Sequence, residues 1–85
     1  MSTAEPRVVR IAAARALPQV SPRDAAQVAL SPLLQDGDVQ VRAAAAGALA
    51  SLGAGGCKLV AQRLQRETGE ERALVERSSA ACGKP

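Results

Sequence analysis

Apolar positions recur along the chain at helical spacing. Val9, Ala13, Ala16, Leu17 and Val20 step by four, three, one and three, which places them on one face of a helix facing a core. Val41, Ala45, Ala48, Leu49 and Leu52 step identically, each thirty-two residues later. The local sequence repeats with them: Val9 to Leu17 matches Val41 to Leu49 at seven of nine positions. A supersecondary unit repeated at such a period is expected to stack on its neighbours and not to form a core alone.

Punctuation between the apolar runs gives the element boundaries. Pro18 predicts an end to the first helix near Leu17, and Gly53, Gly55 and Gly56 predict C-terminal turns for its counterpart. Ser21-Pro22-Arg23-Asp24 reads as an N-cap serine, a proline at the first helical position and an acidic first turn. The helix that follows carries Val28, Leu30, Leu33 and Leu34, with Pro32 predicting a kink or a restart capped by Ser31. Its counterpart runs from about Gly56 to Arg66, with Leu59, Val60 and Leu64 as apolar positions and a register nearer thirty. Thr68-Gly69-Glu70-Glu71 has capping-box spacing and starts a further helix to about Cys82. Ser78 and Ser79 give that helix a poor apolar face, suited to a polar terminal cap or to an unfinished repeat.

The expected fold is all-α, a short α-α superhelix of about two helical hairpins plus a partial third. Residues 1–85 form a single domain: repeat one about 6–36, repeat two about 38–66, and a partial or capping helix about 69–82.

Composition sharpens this picture. Of the 47% hydrophobic residues nineteen are alanine and none is Phe, Tyr or Trp. Leu, Val and Ile together number eighteen, so the core is thin and the stability expected of the isolated chain is marginal. Alanine favours helix and allows helices to approach closely. Net charge is +3, and Glu67, Glu70, Glu71 and Glu76 are mixed with arginines, as on a solvated surface. Without aromatic residues, stacking on nucleic-acid bases is excluded and only contact with the phosphate backbone is left.

The segment Leu33 to Gly53, with its leucine pair, the acidic turn Asp36-Gly37-Asp38, Val39-Gln40-Val41-Arg42 and an alanine run ending in Leu52-Gly53, resembles the HEAT repeat. Its short form in phycobilisome lyases is the nearest in pattern, and the likeness covers roughly residues 6 to 66. The resemblance implies an armadillo-like helical solenoid in which Asp36, Asp38 and Arg42 have a structural role, forming ladders between neighbouring repeats. Asp38 is in addition placed to accept hydrogen bonds from the free amides of the following helix. In solenoids of this kind the second helices line the concave side, which makes Gln27, Lys58, Gln62, Arg63 and Arg66 the expected partner contacts.

Catalytic chemistry finds little support. The chain has no histidine, the commonest general base and metal ligand. Cys57 and Cys82 cannot close a zinc site by themselves. Cys57, beside Lys58 near a helix start, is the one reactive candidate, while buried or idle thiols are the plainer expectation. The glycines of Gly53-Ala54-Gly55-Gly56-Cys57-Lys58 lack phosphate-loop spacing. A chain of this size does not enclose a chromophore, so lyase activity is rejected.

No cofactor and no metal are expected. Met1 to Arg10 has no apolar signal sequence, Gly83-Lys84-Pro85 does not suit prenylation of Cys82, and no apolar run reaches membrane-spanning length. The chain is read as soluble and cytoplasmic, the nucleus being open as well, with reduced cysteines. The expected function is that of a protein-binding or scaffold module, whose partner is another protein or a second copy. The alternatives are a nucleic-acid backbone binder using Lys58, Arg63 and Arg66, and a truncated piece of a longer repeat protein without a function of its own.

Overall fold

The computed structural model describes residues 6–83; Met1 to Glu5, half of the segment expected to carry no signal sequence, and Lys84 and Pro85 lie outside them. Five α-helices follow one another: α1 (Arg7–Val20), α2 (Arg23–Leu30), α3 (Val39–Ala50), α4 (Ala54–Leu64) and α5 (Gly69–Ser78). A 3-10 segment, Ser31–Gln35, extends α2, and another, Ala80–Gly83, follows α5. Among the described residues there is no strand. Helices α1, α3 and α5 lie side by side with α3 in the middle, and α2 and α4 form the second layer.

Three of the five helix starts have a local cause. Asp38 caps α3, its carboxylate accepting from the Gln40 amide at 2.8 Å. Gly53, at φ 99°, makes the turn into α4, and Gly69, at φ 60°, opens α5; both conformations favour a residue without Cβ. Three expected boundary devices are absent. Helix α1 runs through Pro18 to Val20: proline forfeits one backbone hydrogen bond, but the Ser21 amide still closes the last turn on Leu17 O at 3.1 Å. Helix α2 begins at Arg23 with Pro22 at its N-cap, one residue later than Ser21 would place it, and no side chain caps it. Thr68 occupies the N-cap of α5 without a side-chain bond, and Glu71, which would reach back to the Thr68 amide in a capping box, is drawn instead to Arg42.

The core runs through the middle of the molecule. Leu30, Val41, Ala45, Leu49, Val60 and Val75 are all buried. Two glycines set the closest contacts. Gly56 lies against the Leu49 carbonyl, where a Cβ would overlap backbone atoms, and a Cβ on Gly47 would come within 3.0 Å of Ser78 O. The first packs α4 on α3 and the second packs α5 on α3.

The face expected to bury α1 is where the structure departs most from the sequence reading. Val41, Ala45, Ala48 and Leu52 are 0, 0, 9 and 7% exposed, but their counterparts Val9, Ala13, Ala16 and Val20 are exposed. The residues of α1 turned inward are instead Ala14, which is buried, and Arg10, Ile11, Leu17 and Pro18, which are half-buried. The cause is positional. Among the described residues α3 has a helix on both sides and α1 on a single side, so the face that α3 presents to α1 meets no helix when it recurs in α1.

Candidate functional site

Among the described residues one ionic cluster reaches the interior, and it links the elements that follow one another in the chain. Arg42, 5% exposed, donates Nε to Glu67 Oε2 at 2.7 Å and Nη2 to Glu67 Oε1 at 3.1 Å. It also donates Nη1 to Asp36 O and Nη2 to Glu71 Oε1, at 2.8 and 2.7 Å. Arg63 completes the cluster, donating Nε to Glu67 Oε2 at 2.9 Å and Nη1 to Gln35 Oε1 at 2.7 Å. A second rung, Arg10 to Asp36, spans 2.9 Å, and Arg7 approaches Asp38 at 3.6 Å.

These contacts fix charge states. Burial alone would raise the Glu67 carboxyl, but its bonds from Arg42 and Arg63 outweigh this and hold it below the usual carboxylate range. The Asp36 carboxyl is held low chiefly by the Asp38 amide, at 2.9 Å, and further by Arg10. The hydrogen bonds to Glu67 raise Arg42 above its ordinary value.

Asp36, Asp38 and Arg42 thus meet at the junctions between helices. Glu67 is the residue that sequence reasoning missed. It falls in the polar stretch between α4 and α5, where nothing in the local pattern sets it apart from Glu70, Glu71 and Glu76.

The expected contact residues divide. Gln62, Arg63 and Arg66 line one depression of about 150 Å³ between α4 and the Ser31–Gln35 segment. Within it Arg63 is engaged by Glu67 and Gln35. Lys58, Gln62 and Arg66 are exposed and follow at intervals of four, on one side of α4 and its C-terminal turn. Neither Lys58 nor Arg66 has a carboxylate partner among the described residues. Gln27 sits apart, half-buried, with its amide over Gly55.

A larger open trough of about 870 Å³ crosses the other layer. Ile11 and Pro18 of α1 form one wall, Leu74 and Ser78 of α5 the opposite one, and Ala44 and Gly47 the floor.

The cysteines overturn the expectation of free thiols. Cys57 and Cys82 form a disulfide across a sequence separation of 25, with Cα atoms 5.5 Å apart. It ties the first turns of α4 to the Ala80–Gly83 segment, and with both sulfurs bonded Cys57 is no nucleophile.

A layer of three helices backed by a second layer, with an arginine–carboxylate ladder at the junctions, defines an α-helical repeat protein. The profile of the HEAT repeats family matches residues 1–81, and the chain belongs to that family. Neither curated proteins nor solved structures yield a match.

Proposed function

We propose that the chain is a non-catalytic protein-binding module that receives an acidic segment of another protein along α4. The observation that carries this reading is the strip Lys58, Gln62 and Arg66: exposed, aligned on one side of the helix and without compensating carboxylates. Arg63 shares a depression with Gln62 and Arg66 but is already engaged by Glu67 and Gln35, and Gln27 stands apart from the strip at Gly55. HEAT repeats commonly mediate protein interaction and are generally not enzymes, which accords with this. Because the strip is exposed, each contact is weak singly and screened by salt.

The alternative partner is a nucleic-acid backbone, which the same cations would meet without base stacking. Fluorescence anisotropy with a labelled glutamate-rich peptide and a labelled DNA duplex separates the two. Peptide binding reduced at least tenfold by the double change Lys58→Ala and Arg66→Ala supports the proposal. Preference for the duplex, with affinity falling steeply as salt rises, supports the alternative.

Among the described residues no helix is long and apolar enough to cross a membrane. A cytoplasmic setting would keep Cys57 and Cys82 reduced; the closed bridge suits an oxidising compartment or an oxidised state of the protein.

A further inference from the structure

The two ends of the helical stack differ in chemistry. At the α1 end, Val9, Ala13, Ala16 and Val20 form an exposed stripe along the helix, with Val9 at 46% and Val20 at 75% exposure. On α2, Gln27 leans toward Gly55; the opposite side of that helix carries Ala25 and Ala29, with Val28 beside them 74% exposed. The α1 stripe contains no charged side chain, and on α2 the exposed Asp24 lies one turn before Val28, at the rim of the face. The α1 stripe has its equivalent, thirty-two residues on, in Val41, Ala45, Ala48 and Leu52 of α3, which are buried in the helix that α1 packs on.

At the α5 end, the residues equivalent to the face of α3 that receives α5 (Ala43, Ala46 and Gly47) are Ala73, Glu76 and Arg77, all exposed. Glu76 lies 3.8 Å from Arg72. Stacking this end of one copy on the α1 end of another would press Glu76 and Arg77 against valines and alanines that offer no polar partner, which is unfavourable. Pairing the α1 face with itself buries no charge.

We propose that the α1–α2 end face is a self-association surface, and that a second copy covers it about a two-fold axis, with α1 of one protomer against α1 of its partner. An isologous contact of this kind closes at the dimer. Alanines at positions 13 and 16 let the paired helices approach closely. Helix α1 has fourteen residues, about 21 Å of length. With α2 beside it the face is on the order of 400 Å² per protomer, below the roughly 800 Å² of a standard interface. The dimer is therefore weak and transient.

Sedimentation velocity on the full chain, from low micromolar to near-millimolar concentration, tests this. The expected result is a monomer–dimer equilibrium that goes no further. Val20→Glu and, separately, Ala16→Lys should weaken dimerisation at least tenfold, with circular dichroism melts like that of the parent. Glu76→Ala with Arg77→Ala should leave it unchanged, as should Lys58→Ala with Arg66→Ala, which separates this surface from the peptide-binding strip. A monomer at every concentration overturns the proposal. So does mass rising past the dimer, or dimerisation indifferent to both the position 20 and position 16 changes.

Discussion

Glu67 receives two arginines: Arg42 Nε on Oε2 at 2.7 Å and Arg63 Nε on the same oxygen at 2.9 Å. Arg42 comes from the middle helix and Arg63 from α4, so one carboxylate, 4% exposed, holds two layers together. Replacing Glu67 by Gln removes the buried carboxylate from the Arg42 guanidinium and leaves it the solvent-facing Glu71 as its charged partner. The expected loss is about 3 kcal/mol, read as a lower urea midpoint with an unchanged slope. Arg63→Ala, at the rim of the same cluster, should cost about 1 kcal/mol or less, since Arg42 remains to neutralise Glu67.

Acid should unfold the protein through the same groups. Glu67 and Asp36 have carboxyls held below their ordinary values in the fold. Their stabilisation is fully present above the unfolded-state values of about 4 and is lost as pH falls through the lower folded-state values. Melting temperature should be flat down to about pH 5 and drop below it. The drop should be shallower in Glu67→Gln, as followed by circular dichroism.

The glycine contacts give a graded pair. Gly56→Ala would drive a methyl into the Leu49 carbonyl, which as backbone cannot swing aside, and should cost about 3 kcal/mol or prevent folding. Gly47→Ala meets Ser78 O at 3.0 Å, which α5 can relieve by a small shift, so a loss of about 1 kcal/mol is expected. Thermal melts of the two variants provide the comparison.

Leu49 is fully buried in the middle helix, and Leu49→Ala should cost about 2 to 5 kcal/mol through lost contacts and a residual cavity. A chain with so few large apolar residues is expected to lose its helix signal altogether at 25 °C.

Reducing the Cys57–Cys82 bridge frees a chain segment spanning 25 residues, which on loop-entropy grounds lowers stability by about 3.5 kcal/mol. Melting with and without a phosphine reductant, beside the Cys57→Ser and Cys82→Ser double variant, should show matching decreases.

How far the sequence reveals this arrangement depends on whether a feature is local. The thirty-two-residue spacing that relates Val9 to Val41 and Leu17 to Leu49 is a property of consecutive residues, and it marks the α1 and α3 helices of the all-α fold. Asp38 is legible for the same reason, because capping concerns the next two amides. Whether Val9 is buried depends on what lies beside α1, and periodicity has no information about that; the same pattern is core in one helix and surface in the other. Glu67 and the cysteine pairing depend on contacts across 25 residues. The expectation of free thiols rested on compartment alone, which says nothing about how close two cysteines come. On α4, the spacing of Lys58, Gln62 and Arg66 was readable, but the engagement of Arg63 by Gln35 was not, since that bond joins residues 28 apart.

The disulfide also sets an order of opening. A stack of repeats ordinarily loosens from both extremities, since each terminal element has one neighbour only. Here the C-terminal segment is fastened covalently to α4, so α5 can leave α3 only by dragging that tether with it. Helix α1 has no such restraint beyond Arg7, Arg10 and its apolar inner side. Amide hydrogens should therefore exchange first in α1 and last in α3, so that the molecule unravels directionally, from its N-terminal side.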